Sequence, residues 1–349
     1  MLRDMNIPAK SSTYDYAIAP GVWGKRDLFV NYFIIQDSET NAWFLVDAGL
    51  KWSAPRIKAM ANELFGEGSK PAGIILTHGH FDHVGALHTL VQEWNVPVYA
   101  HPLELPYLTG KSSYPPADPS VGGGLMSSMS WMYPTGPIDI QPNLQPLADN
   151  SNNVIPGLNG WRFIHTPGHS PGHISLFRES DKVLIAGDAV VTTRPESALY
   201  ALSYKKQVSG PPKYLTCNWA SAKISVLKLA ALDPQIIATG HGEPMQGEEM
   251  QLALQRLSTR FDKLAQPAHG RYVNEPAITD ETGVVYLPPA VEPDYSTALK
   301  VVGISIAVLG IGYLIYKQVK KKSEPKDTVQ DLLADWRKRP RHKLHHLLN

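Results

Sequence analysis

Apolar residues alternate with polar ones, or run together, over residues 28–35 and 43–46, and the polar stretch 36–41 separates them. The pattern predicts two strands joined by a hairpin turn. After Ser53 and Pro55 the spacing changes: Ile57, Met60, Ala61 and Leu64 share one face of a predicted helix that stops at Gly66, and residues 73–77 form a short apolar strand. Helix and strand recur over 82–94 and 96–100. Farther along, strand patterns at 161–165, 174–177, 183–186 and 236–239 accompany helical patterns at 222–232 and 251–264. Repeated alternation of this kind predicts an α/β body.

Two stretches break the alternation. Residues 106–146 are rich in Pro, Gly and Ser, include Gly122-Gly123-Gly124, and carry Met126, Met129, Trp131, Met132 and Tyr133. A long irregular segment inside a compact domain is uncommon unless it serves as a lid or binding loop. A lid-like insertion is therefore expected, with a plain solvated insertion as the alternative. Residues 267–294 are again irregular and proline-bearing, which puts the main domain at 14–289. Residues 301–316, VVGISIAVLGIGYLIY, are uncharged and apolar, and 298–316 as a helix would measure roughly 28 Å, close to a hydrocarbon core. Lys317, Lys320, Lys321 and Lys322 follow at once. The expectation is a single-pass C-terminal transmembrane helix at 298–316 and a basic amphipathic tail at 317–349, whose Val329, Leu332, Leu333 and Trp336 share a face suited to a membrane surface.

With 349 residues, 43% hydrophobic and 19% charged, the chain has material for one large globular core. Lys and Arg total 33 against 32 Asp and Glu, a formal charge of +1, so no basic excess points to a nucleic acid. The one cysteine, Cys217, excludes an internal disulfide framework and a cysteine-only metal cage, whereas 13 histidines make imidazole the expected ligand. The first 25 residues contain Arg3, Asp4, Lys10 and Asp15 and no apolar run of the secretory kind, so no cleaved signal is expected. Lysines after residue 316 favour a cytoplasmic tail, and a large body without a signal also favours the cytoplasm; a single span cannot satisfy both. The expectation is a cytoplasmic body held at the membrane.

Directly after the 73–77 strand comes His78-Gly79-His80-Phe81-Asp82-His83, four candidate ligands within six residues. A period of two points His78, His80 and Asp82 to one side, and neutral imidazole and carboxylate suit a borderline cation such as zinc. One such cluster cannot complete the coordination of two cations. Three further candidates sit just past predicted strands: His169 in Pro167-Gly168-His169, Asp188 in Ala186-Gly187-Asp188, and His241 in Gly240-His241-Gly242. His173, four residues after His169, is read as a supporting hydrogen-bond partner or turn residue instead of a ligand. His88, His101 and His165 lack such a context and are read as ordinary histidines.

In this order, HxHxDH, then H, then D, then H, the chain resembles the metallo-β-lactamase-fold hydrolases over roughly residues 14–264. The resemblance implies a four-layer αββα sandwich and two divalent metal ions, zinc foremost, with manganese or iron as alternatives. It implies that His78, His80 and His169 hold the first metal, Asp82, His83 and His241 the second, and that Asp188 bridges them. Asp47, in Val46-Asp47-Ala48-Gly49, matches the family's early aspartate that braces the site from behind, although a turn before Gly49 would carry an aspartate equally well. Two cations so held would make a water acidic enough to attack a carbonyl or phosphoryl centre near neutral pH, with Asp82 as both ligand and proton acceptor. The expected partner is a small-molecule substrate.

His241, with no cysteine nearby, departs from the β-lactamases that use a Cys ligand, and His80 stands where related di-iron flavoproteins carry an acidic residue. The patterns that remain are thioesterases resembling glyoxalase II and lactonases that open acyl-homoserine lactones. Hydrolysis of a thioester, lactone or related carbonyl ester is expected. Such lactonases offer a tyrosine shortly after the bridging aspartate; here Asp188 is followed by Ala189, Val190, Val191, Thr192 and Thr193, and Tyr107, Tyr114 and Tyr200 stay open as substitutes. The alternatives are a phosphodiesterase or nuclease of the same fold, which the neutral charge balance disfavours, and a non-catalytic membrane-tethered binding module.

Overall fold

Strand β3 (Val30–Gln36) is buried along all but its last residue, which requires cover on both faces of its sheet. Successive side chains point to opposite sides. Tyr32 and Ile34 enter one apolar cluster with helices α1 (Ala54–Phe65) and α2 (Leu87–Trp94). Phe33 and Ile35 enter another, which faces a second sheet through Phe163, Ile174, Leu176, Val183 and Ile185. The computed structural model describes residues 13–147, 152–203 and 205–291.

The first sheet holds seven strands side by side in chain order: β1 (Tyr16–Ala19), β2 (Val22–Asp27), β3, β4 (Trp43–Val46), β5 (Gly73–Ile75), β6 (Val98–Ala100) and β7 (Leu144–Pro146). Its first four strands are antiparallel and β4 to β7 are parallel. The second sheet holds β8 (Val154–Ile155), β9 (Leu158–His165), β10 (Ile174–Arg178), β11 (Val183–Ile185), β12 (Ile236–Ala238) and β13 (Met245–Gln246), with only β11 and β12 parallel. On its outer face Leu184 and Ile237 meet Val226 and Leu229 of a long helix, Trp219–Ala231, and Met250, Leu254 and Leu257 of another, Glu248–Thr259. Helix, sheet, sheet and helix make the four-layer αββα sandwich of the metallo-β-lactamase fold.

Several element boundaries move. The predicted strand 28–35 begins only at Val30, because Leu28 sits at φ 59 in the tight turn after β2 and is 54% exposed. The predicted helix 82–94 shortens to Leu87–Trp94, since residues 81–86 form turns around the candidate ligands. The irregular C-terminal stretch contains a hairpin, β14 (Ile278–Asp280) and β15 (Gly283–Tyr286). The insertion at 106–146 combines short helical turns with irregular runs, ends in β7, and leaves Leu125, Met129, Trp131 and Met132 exposed.

The anchor expected at 298–316 and the tail at 317–349 lie outside the described residues, and among the described residues no helix is long and apolar enough to cross a membrane. That finding corrects the expectation of a single-pass anchor and a membrane-held cytoplasmic body, and neither is carried further.

Candidate metal centre

The candidate ligands come from both sheets. The loop after β5 supplies His78, His80, Asp82 and His83, and the loops after β9, β11 and β12 supply His169, Asp188 and His241. All seven are buried. Ligand atoms within 4.8 Å of one another define three groups: His78 with His80 and His169, Asp82 with His83 and His241, and His78 with His83 and Asp188. Asp188 lies between the first two groups. Its Oδ2 is 3.4 Å from His169 Nε2 and 3.1 Å from His241 Nε2, and its Oδ1 is 3.6 Å from His83 Nε2. Asp82 Oδ2 faces His241 Nε2 at 3.5 Å and His83 Nε2 at 3.9 Å.

Hydrogen bonds behind the ligands decide which ring nitrogen carries the hydrogen. Asp47 Oδ1 accepts from the Thr77 backbone N–H, and its Oδ2 accepts from the Thr77 hydroxyl at 2.8 Å and from His83 Nδ1 at 2.9 Å. The Thr77 oxygen, having donated to Asp47, is left to accept from His78 Nδ1 at 3.0 Å. His241 Nδ1 donates to the Phe29 carbonyl at 2.7 Å. The Nε2 lone pairs of His78, His83 and His241 are thus turned into the centre.

His78 Nε2, His83 Nε2 and Asp188 Oδ1 are buried and have no hydrogen-bond partner within the protein. An uncompensated buried polar atom costs about 1–3 kcal/mol. Three of them, from residues whose candidate ligand atoms lie within 4.8 Å of one another, fit the donor set of a bound cation.

The two sides of the centre differ electrostatically. Burial holds the His78 and His169 imidazoles well below the ordinary histidine range and His80 at about 3. Burial opposes charge on His83 and His241 as well, but Asp188 and Asp82 pull both upward, with Asp47 adding to the effect on His83. Asp188, despite its burial, is held well below the usual carboxylate range by His241 and His83. Burial pushes Asp82 upward against the pull of the same two histidines.

His173 faces the centre without an unused nitrogen. Its Nε2 accepts from the Asp188 backbone N–H at 2.9 Å and its Nδ1 donates to the Thr166 hydroxyl at 2.8 Å, so it fixes the backbone that presents Asp188. Cys217, outside the sequence pattern, lies close by: its thiol points at the Gly168 and His169 carbonyls, and burial pushes it up to about 12. His88 is exposed, and His101 and His165 stack on each other at 3.9 Å. Of the three open tyrosines, Tyr107 is stacked on Tyr114 at 3.9 Å, Tyr114 donates its hydroxyl to Glu104, and Tyr200 lies between Arg194 and Lys205.

Sequence reasoning missed Thr77, Asn31 and Glu104. Asn31 spans the His241 loop, donating from Nδ2 to the Thr239 and Gly242 carbonyls and from its backbone to Gly240. The one sequence signal for Glu104 was a charge set among apolar neighbours, Leu103-Glu104-Leu105-Pro106.

Comparison with known proteins agrees with this geometry. Residues 26–241 match the family model described as the Metallo-beta-lactamase superfamily. The probable metallo-hydrolase YflN of Bacillus subtilis (strain 168) is 43% identical over 261 residues, 74% of this chain and 98% of that protein. The hydroxyacylglutathione hydrolase GloC of Haemophilus influenzae is 30% identical over 170 residues, 46% of this chain and 66% of its own. Among solved structures, the metallo-beta-lactamase family protein TTHA1429 from Thermus thermophilus aligns with 20% identity and a TM-score of 0.46, covering 70% of this chain and 80% of that one. A family model spanning the HxHxDH cluster through His241, together with a relative aligned over nearly its whole length, establishes that the chain belongs to the metallo-beta-lactamase superfamily.

Proposed function

We propose that this metallo-hydrolase cleaves a thioester, lactone or related carbonyl ester of a small molecule at a two-cation centre. His78, His80 and His169 would hold one cation and Asp82, His83 and His241 the other, with Asp188, which lies between the two groups, able to serve both. Bound there, divalent cations would polarise the substrate oxygen and make water acidic enough to attack near neutral pH. The observation that carries the reading is the convergence of buried, partnerless lone pairs from both sheets on one place. Zinc suits the imidazole-rich donor set, and manganese or iron are alternatives.

The chain's own residues do the rest. Asp47 and the Phe29 carbonyl fix the imidazole tautomers, so the centre is arranged before substrate arrives. Asp82, facing His83 and His241 through Oδ2, is the group placed to take the proton from the attacking water, and its burial favours holding one. A cavity of about 560 Å³ beside the HGHFDH loop is lined by Trp52, Phe81, Val84, Tyr114, Ile138 and Ile140, which suits an apolar or aromatic part of the substrate. The relative GloC bears the name hydroxyacylglutathione hydrolase, which supports the thioester within the class.

The test is elemental analysis of the purified chain together with assays on thioester, lactone and bis-aryl phosphodiester panels that vary in acyl size. Two metals per chain and carbonyl-ester turnover abolished by Asp188→Ala are expected. Turnover of phosphodiesters alone would replace the ester reading with a nuclease-type one. A chain that stays metal-free and inactive after zinc, manganese or iron is supplied would end the catalytic reading.

A further inference from the structure

Glu104 is fully buried, and no cation is among its hydrogen-bond partners. A buried carboxylate without a counter-charge persists only if its lone pairs are otherwise satisfied. Here four donors do so. Oε2 accepts from the Gly79 backbone N–H at 2.9 Å and from the Tyr114 hydroxyl. Oε1 accepts from Ser170 Oγ at 2.7 Å and from the Gly172 backbone N–H at 2.8 Å.

The positions of those donors give the carboxylate its meaning. Gly79 separates His78 from His80, Ser170 follows His169, and Gly172 precedes His173, which holds the Asp188 backbone. The contacts are also close. A Cβ on Gly79 would strike the Tyr114 hydroxyl, and one on Gly172 would come within 2.7 Å of the Glu104 backbone nitrogen and 2.8 Å of its Cγ. Glycine at both positions is the condition for the two loops to reach the same carboxylate. The Tyr114 ring meanwhile packs edge-on against His80 at 4.7 Å. The other group, Asp82, His83 and His241, makes no hydrogen bond to Glu104; His83 and His241 are braced by Asp47 and the Phe29 carbonyl.

We propose that Glu104 is the positioning residue of the first cation's ligands, clamping the loop that carries His78 and His80 to the loop that carries His169. This rests on the two-cation reading above. Ligand distances must be held within a few tenths of an ångström for a cation to bind tightly, and hydrogen bonds behind the ligands supply that restraint. Glutamine at 104 keeps the shape but turns an amide N–H₂ toward two donors whichever way it lies.

The experiment titrates the full-length, chelator-stripped chain with zinc against a competing chromogenic chelator. For wild type two equivalents are expected. In Glu104→Gln one equivalent should weaken by about 10–100-fold while the other keeps its affinity. Tyr114→Phe and Ser170→Ala each remove one of the four donors; each should weaken the same equivalent by less, and they carry the test should Glu104→Gln not fold. Unchanged affinity for both equivalents in the variants would overturn the proposal. So would an equal loss of both, which marks a general structural role. Wild type that binds neither zinc, manganese nor iron would overturn the two-cation reading itself, and this proposal with it.

Discussion

Asp47 governs the hydrogen positions on two histidines while touching only one of them, because Thr77 relays its influence to His78. An asparagine of the same shape breaks the relay: its amide can serve either Thr77 and His83 or the Thr77 N–H, never all three. Asp47→Asn is therefore expected to lower zinc affinity by about 10–100-fold, most at the equivalent that His83 helps to hold, measured by the same chelator competition. The ligands themselves were legible in the sequence because each stands next to a glycine or inside one six-residue cluster. Thr77, Asn31 and Glu104 were not. Their roles depend on partners 30, 211 and 68 positions away, and nothing local distinguishes them from ordinary turn or core residues.

At the scale of elements, the turn between β3 and β4 is tied to the second sheet through Asp37 and Glu39, which both accept from Asn159. Asp37 Oδ1 accepts from the Glu39 and Thr40 backbone N–H groups at 2.8 Å each, and its Oδ2 accepts from the Asn159 N–H at the start of β9. Burial alone would raise this carboxyl, yet the backbone N–H groups of Thr40, Asn159 and Glu39 hold it below the usual aspartate range. A depressed pKa means that the folded state favours the ionised form. The stability it contributes is present above the unfolded pKa and is lost as pH falls through the folded one. Thermal melts run from about pH 6 down to about pH 2 should show this loss, and Asp37→Asn should flatten that part of the acid limb. The hairpin itself was legible from the polar stretch 36–41. The tie to β9 was not, and neither were β1, β2 or the β14–β15 hairpin, whose strands are too short, or too mixed in sequence, to show a period of two.

For the whole molecule, the ligand set joins two sheets that also meet through an apolar core and through hydrogen bonds such as Asn31 to the Thr239 carbonyl. A cation held by both sheets stabilises the folded chain by mass action. At a free concentration about 100 times its dissociation constant, the gain is about 2.7 kcal/mol. Chelation should then lower the melting temperature by roughly 5–10 °C, and restoring zinc should return it, as calorimetry can check. A melting point indifferent to metal would contradict a site shared between the sheets. The α/β alternation and the order of the ligands made the sandwich legible, whereas the apolar run at 298–316 was legible only as composition, and membrane attachment was the expectation that failed.

The bond from His241 to the Phe29 carbonyl joins residues 212 positions apart. During synthesis the HGHFDH cluster therefore leaves the ribosome long before the strand that carries its last partner, and in that interval it is half a site. Proteins dominated by such distant pairings fold slowly. The chain's order thus reserves the complete ligand set for a chain made past His241, and one that stops short of that residue cannot display it.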